Sequence, residues 1–292
     1  MTRREALGRA ALGTLFLPIA GALSPLAAAD VPANPLAGRR LTLGLAGYTM
    51  RKMSADTAIS TLRELGITSA ALYKVHLPIL LSTPDVCQED AKRFRDAGIT
   101  IASTGVVQLT KSEATMRRAF ECARAAGLST MTASYAAPPD AEVLQLTERF
   151  VREYDIRLAF HNHGPEDGIF PSPYDVWKAV QPYDARMGLC LDVGHSARAG
   201  ADPVSAIRDC AARLYDVHVK DTTAPVGAKK DQPVGLGFGR LDIVGILRAL
   251  LEIGYSHQVG LEDEVESPDT VPGIAQSYGF MRGTVAALTR AS

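Results

Sequence analysis

The sequence predicts a closed (β/α)8 barrel, one domain preceded by an N-terminal signal segment. Three observations carry this expectation. Short apolar strands alternate with amphipathic helices beyond residue 40, the pattern of a parallel sheet covered by helices. Eight such units follow one another, enough to close the sheet on itself. The segment Gly44-Leu45-Ala46-Gly47-Tyr48 matches poorly the Gly-rich phosphate turn that an open, doubly wound sheet needs after its first strand.

Residues 1–29 read as an export signal. Thr2-Arg3-Arg4-Glu5-Ala6-Leu7 has the twin-arginine pattern, an apolar stretch runs from Ala10 to Leu26, and Ala27-Ala28-Ala29 offers a cleavage site. Pro18, Gly21 and Pro25, together with the short length, speak against a membrane-spanning anchor. The mature chain is therefore expected in the periplasm, without stable membrane insertion. Residues 30–40, with Pro32, Pro35 and Gly38, read as a linker, and residues 41–292 as the barrel.

Within the barrel, strands are expected at 41–46, 69–73, 99–107, 130–133, 157–162, 187–192, 214–220 and 257–262. Helices are expected at 55–65, 84–97, 112–126, 140–154, 173–180, 203–212, 241–253 and 271–288. Gly66, Gly98, Gly127 and Gly254 each stand just past a helix, where a left-handed residue ends it.

A hydrophobic content of 47%, a charged content of 22% and a net charge of −1 fit a soluble globular protein. They provide no basis for a nucleic-acid or anionic-membrane partner. Cys87, Cys122, Cys190 and Cys210 share no C-x-x-C spacing, so no zinc ribbon is expected. They read as free, buried cysteines, with a Cys87–Cys122 bridge between neighbouring helices left open.

Strand alternation locates the chemistry. If His161, Asp192, His218 and Glu262 face the barrel axis, so do Ala159, Cys190, Asp216 and Gly260, two residues earlier. Leu158, Phe160, Leu189, Leu191, Val217, Val219, Val259 and Leu261 then face the helices. The opposite phase would bury the charged tips under helices at large cost.

Five of the six histidines, His76, His161, His163, His195 and His218, fall at or just beyond the C-terminal ends of strands, the face that carries barrel active sites. Imidazoles with carboxylates suit a divalent Mn, Zn or Co ion. Asp192, His218 and Glu262 are the leading ligand candidates and His161 the next, with Glu166 nearby beyond Gly164-Pro165. His195, three residues after Asp192, is expected to orient a ligand or touch substrate. Lys220 shares the His218 face and can neutralise a developing oxyanion or pair with a carboxylate. His163, His76, Lys74 and Glu166 are placed as substrate contacts.

At these residues the chain resembles the sugar phosphate isomerase/epimerase superfamily, with its xylose isomerase-like TIM barrel. The carrying motifs are Cys190-Leu191-Asp192-Val193-Gly194-His195, Asp216-Val217-His218-Val219-Lys220-Asp221, the Gly235-Leu236-Gly237-Phe238-Gly239-Arg240-Leu241-Asp242 segment, and Glu262. The resemblance implies a metal held by Asp192, His218 and Glu262, with a fourth ligand at His161. There the family often has Glu-Asn-His and this chain has His161-Asn162-His163. It also implies proton abstraction beside a carbonyl, with Glu262 or a histidine as base, assisted by a divalent metal ion.

The expected function is thus a metal-dependent isomerase or epimerase of a non-phosphorylated sugar or keto-sugar. One alternative is a metal-dependent lyase or hydratase that eliminates from a 3-keto-glycoside or keto-polyol, with histidine protonating the leaving oxygen. A second is a non-catalytic sugar-binding barrel. The partner in each case is a small sugar, and a homo-oligomer stays open.

Overall fold

The computed structural model describes residues 34–291. The export-signal reading of residues 1–29 lies outside them. The expected alternation is present. It runs β1 (Thr42–Leu45), a 3-10 turn (Gly47–Met50), α1 (Ala55–Glu64), β2 (Ser69–Leu72), α2 (Pro84–Asp96), β3 (Thr100–Thr104) and β4 (Val107–Leu109). It continues through α3 (Glu113–Ala125), β5 (Thr130–Tyr135), α4 (Ala141–Tyr154), β6 (Arg157–His161), α5 (Pro173–Val180), β7 (Met187–Asp192) and α6 (Val193–Arg198). After α7 (Pro203–Asp209) and a second 3-10 turn (Ala211–Arg213) come β8 (Leu214–Val219), β9 (Asp221–Thr222) and β10 (Pro233–Val234). The chain ends with α8 (Ile243–Glu252), β11 (Gln258–Leu261) and α9 (Val271–Leu288).

Nine parallel strands form one nearly closed sheet in the order β3-β2-β1-β11-β8-β7-β6-β5-β4. The sheet is an eight-stranded barrel whose third strand is broken. β3 pairs with β2, the chain kinks at Gly105-Val106, and β4 pairs with β5. The sequence pattern reads 99–107 as one strand because the apolar run is continuous. Gly105 accounts for the kink, since a Cβ there would stand 2.7 Å from the Tyr73 ring. A side chain closes the seam. Thr104 Oγ1 accepts from Thr132 N at 3.1 Å and donates to Thr132 O at 3.0 Å, replacing the backbone rung missing between β3 and β5.

The strand phase is the expected one. Leu158, Phe160, Leu189, Leu191, Val217, Val219, Val259 and Leu261 belong to the core between sheet and helices. Phe160 stacks on Tyr135 with ring centroids 5.1 Å apart. Removing such a buried phenyl group costs about 3–5 kcal/mol. Asp216 faces the barrel interior, where its Oδ2 accepts from Ser103 Oγ at 2.6 Å and Thr132 Oγ1 at 2.8 Å. These two hydroxyls satisfy a carboxylate that would otherwise be costly to bury.

Helix ends follow local chemistry. Ser54, Ser112, Asp140, Ser172, Asp202 and Asp242 accept from first-turn backbone N–H groups. The four helix-stop glycines all have positive φ, for example Gly98 at 81°. All four cysteines are free and buried. The described part of the stretch expected as a linker is a docked turn rather than a loose tether. Asn34 Nδ2 donates to Leu288 O and Arg290 O, and Arg39 Nη1 donates to Leu251 O and Glu252 O at the end of α8. Sequence composition cannot reveal that docking, because both partners lie more than 200 residues away.

Candidate active site

β6, β7, β8 and β11 are consecutive neighbours in the barrel wall, so their C-terminal ends lie side by side. His161 ends β6, Asp192 ends β7, His218 lies one residue before the end of β8, and Glu262 follows β11. All four are buried, and one potential ligand atom from each lies within 4.8 Å of all the others. His161 Nε2 is 3.0 Å from His218 Nδ1 and 3.7 Å from Asp192 Oδ2, and His218 Nδ1 is 3.3 Å from Glu262 Oε1. Ligands at about 2.0–2.1 Å from a tetrahedral ion stand about 3.3 Å apart, so the donor set and its spacing fit a borderline divalent metal. Asp192 Oδ2 is moreover buried without a hydrogen bond.

The shell around these four is built locally. Asp192 caps α6, its Oδ1 accepting from His195 N at 2.7 Å, which leaves Oδ2 for the cluster. Asn162 clamps β6 to β7. Its Oδ1 accepts from Asp192 N at 3.0 Å and its Nδ2 donates to Ser196 Oγ at 3.2 Å. Lys220 is buried with its Nζ 3.1 Å from Asp192 Oδ2, 3.3 Å from Glu262 Oε2 and 2.6 Å from Glu264 Oε1. Gly194 makes room for it, because a Cβ there would stand 2.8 Å from Lys220 Cγ.

The charges explain one another. Burial pushes His161 well below the ordinary histidine range, and the neighbouring His163 and His218 push the same way, so its ring is neutral. Burial also lowers His195 strongly, with the Lys220 charge beside it adding to the effect. Burial raises Asp192, while Lys220 opposes that rise. Burial would lower Lys220, but Asp192, Glu262 and Glu264 outweigh it and keep the ammonium charged. Burial would raise Glu262, but His218 and Lys220 hold its carboxyl well below the usual range. Glu262 is therefore an ionised carboxylate.

A cavity of about 600 Å³ opens above the cluster. His161, His163, His195, His218, Glu262 and Glu264 line one side, and Lys74 lies on its wall with Nζ 5.5 Å from the Tyr73 ring centroid. His163 packs against His161 at 4.5 Å between ring centroids, and its Nδ1 is 3.2 Å from Asp167 Oδ2.

Two expected contacts lie elsewhere. His76 is buried away from the cavity, its Nε2 3.1 Å from Met53 O and its ring edge-on to Phe94. The turn after β2 folds back on Tyr73 O and carries the ring under α2. Glu166 is neither a member of the ligand cluster nor a lining residue, because Arg198 holds it in a two-pronged ion pair at 2.7 and 2.9 Å. Arg198 itself, fully buried, is absent from the sequence expectations. Its Nη2 stands 2.6 Å from His195 Nδ1, and His195 Nε2 is 3.0 Å from Lys220 Nζ. Arginine and the Lys220 ammonium both donate, and a neutral imidazole accepts at only one ring nitrogen, so the two contacts compete for it, while Arg198, one turn along α6, ties the imidazole plane to that helix. The His195-x-x-Arg198 spacing, one helical turn, is the signal that could have found it. Glu264 is the other unexpected member.

A family model described as a xylose isomerase-like TIM barrel matches residues 59–284, more than half of the chain. The rhizopine catabolism protein MocC of Rhizobium meliloti is 29% identical over 144 residues, covering 45% of this chain and 43% of that protein. The matched parts span 43% and 41% of the first two curated relatives. An L-ribulose 3-epimerase structure superimposes with a TM-score of 0.65 at 15% identity, covering 85% of this chain and 96% of that one. The IOLI protein with a bound zinc atom superimposes with a TM-score of 0.65 at 17% identity, covering 85% and 98%. At these identities the structural likeness is one of fold.

Proposed function

The chain belongs to the xylose isomerase-like TIM barrel family, and from that premise we propose a divalent-metal-dependent isomerase or epimerase of a non-phosphorylated sugar or keto-sugar, working through an enediolate. The observation that carries the proposal is the convergence of His161, Asp192, His218 and Glu262 in one buried cluster, three of them lining the cavity and Asp192 just beneath it. These four would hold the ion, which supplies Lewis-acid stabilisation of charge developing on the substrate oxygen. The name of the zinc-bearing IOLI structure and that of the L-ribulose 3-epimerase support this reading. The export-signal pattern of residues 1–29 supports a periplasmic protein, and with it a substrate without a phosphate group.

The chain's own residues supply the proton chemistry. Glu262, ionised and lining the cavity, takes the proton beside the carbonyl. Lys220 keeps the buried carboxylates neutralised and Glu262 ionised. His195, oriented by Arg198, presents a fixed imidazole to the cavity. Asn162 and the α6 cap hold Asp192 in place, so the floor is preorganised.

One observation favours a second reading. His161 and His163 stand side by side at the cavity, and the resemblance to the two-carboxylate epimerases puts their first glutamate at His161. His163, which lines the cavity outside the ligand set, can in its protonated form supply the proton to a leaving oxygen, which turns the same enolate toward elimination from a 3-keto-glycoside or keto-polyol.

The test is a keto-sugar panel in deuterated water, followed by NMR on metal-loaded protein. Deuterium beside the carbonyl with all substituents retained is the expected isomerase or epimerase outcome. Loss of a β-substituent with a conjugated enone establishes elimination. Binding with no exchange on any member leaves the sugar-binding barrel as the reading.

A further inference from the structure

The cavity has two chemically distinct walls. Histidines and glutamates at the ends of β6 to β8 and β11 line one, whereas the other, at the ends of β1 to β4, is mainly apolar, with segment 77–81, Val106, Val107, Tyr48 and Tyr73, and has Lys74, Thr104 and Gln108 as its polar members. We infer that this second wall is a subsite for an apolar, aromatic substituent carried by the sugar, so that the substrate class is an aryl glycoside or its keto derivative. The inference rests on the reading that the histidine end receives the sugar.

Three features support it. The first is size. About 600 Å³ lies mid-range for pockets that take drug-sized ligands, about 300–1,000 Å³, and exceeds the needs of one sugar ring. The second is polarity. A free sugar carries hydroxyls over its whole surface, and those pressed on the Leu80 and Leu81 side chains would lose water without gaining partners there. An amphiphilic molecule, polar at one end and flat and apolar at the other, matches both walls.

The third is the build of the wall. Leu81 is 87% exposed at the cavity mouth although Leu77 and Ile79, in the same short segment, are almost fully buried. The backbone bonds Ile79 N to Leu77 O, Leu81 N to Pro78 O and Ser82 N to Pro78 O hold the segment in tight turns, so Leu81 is presented by an ordered backbone. Tyr48 and Tyr73 meet edge to face at 5.4 Å. They extend the apolar wall with aromatic faces and edges, the surface on which another ring packs well. The cavity is continuous between these residues and Glu262, so a ring seated there is tethered within reach of the catalytic floor.

The experiment compares phenyl and methyl β-D-glucopyranoside by calorimetry on the metal-loaded protein. Neither carries a carbonyl, so both can bind without enolisation. The phenyl glycoside is expected to bind about tenfold tighter or more, as burial of one ring predicts. In the Leu80→Asn/Leu81→Asn double variant, both sites being partly or fully exposed, the preference should collapse while the methyl glycoside binds as before. Equal affinities, no binding of either glycoside, or a preference unchanged in the double variant overturns the inference. Turnover plays no part in the comparison. A failed enolate reading therefore leaves the subsite standing, and loss of the preference leaves the enolate reading untouched.

Discussion

His161 Nε2 and His218 Nδ1 face each other across 3.0 Å, both residues almost fully buried beneath the cavity. Two imidazole lone pairs repel at that distance unless a proton or a cation lies between them. Asp192 and Glu262 add carboxylate oxygens to the same small volume. A proton on one ring meets that need, and so would a divalent ion shared by all four, whose binding would then be linked to the protonation of these groups. Asp192→Asn and His218→Ala are therefore expected to lose bound metal and activity while staying folded. Elemental mass spectrometry on protein purified without a His tag or chelator, beside circular dichroism, measures both. Full metal content in both variants would place the ion elsewhere.

Lys220 separates metal binding from turnover. Its ammonium touches Asp192, Glu262 and Glu264 and is not needed as a ligand. Lys220→Ala should lower kcat by about tenfold or more, the scale of losing one preorganised charge, with a much smaller change in metal content. Unchanged turnover removes Lys220 from the mechanism.

Glu166 acts through Arg198. Glu166→Gln replaces an ion pair with a weaker hydrogen bond and should cost about 1–3 kcal/mol of stability. It also loosens the guanidinium that orients His195. Turnover should fall several-fold while metal content stays at the wild-type value. Loss of metal in Glu166→Gln would instead make Glu166 part of the ligand set.

The barrel seam gives a prediction about stability alone. Thr104→Val keeps the shape but leaves Thr132 N–H and C=O without the Thr104 hydroxyl. One buried unsatisfied group costs about 1–3 kcal/mol, so the thermal midpoint should drop by several degrees. Thr104→Ser, which restores the hydroxyl, should recover most of it. Equal midpoints for the valine variant and the wild type would show that the seam carries no strength.

Much of the fold was legible because its signals are local. Strand alternation has a period of two, so once His161 is placed inward, Phe160 must face the helices. The helix stops at Gly66, Gly98, Gly127 and Gly254 follow from backbone sterics at single residues. The break at Gly105 was not legible, since it depends on Tyr73 lying against it from another strand. The short helix α6 has no periodic signal of its own, for a related reason. In the sequence Asp192 has the pattern of a strand tip, and only its contact with His195 N shows it to be a cap as well.

The sequence by itself determined the barrel, the end of it that carries the chemistry, and the four residues that meet there. Each sits at a strand end, and a closed parallel sheet has one arrangement of its ends. Only the tertiary structure decided the rest. It turned His76 away, drew Glu166 to Arg198 rather than to the candidate ligand cluster, joined Arg198 to His195, and set segment 77–81 into the cavity wall. These positions belong to loops, whose paths no periodicity constrains and whose partners lie far along the chain. Their geometry follows from which distant groups can satisfy a buried charge or cover an apolar face.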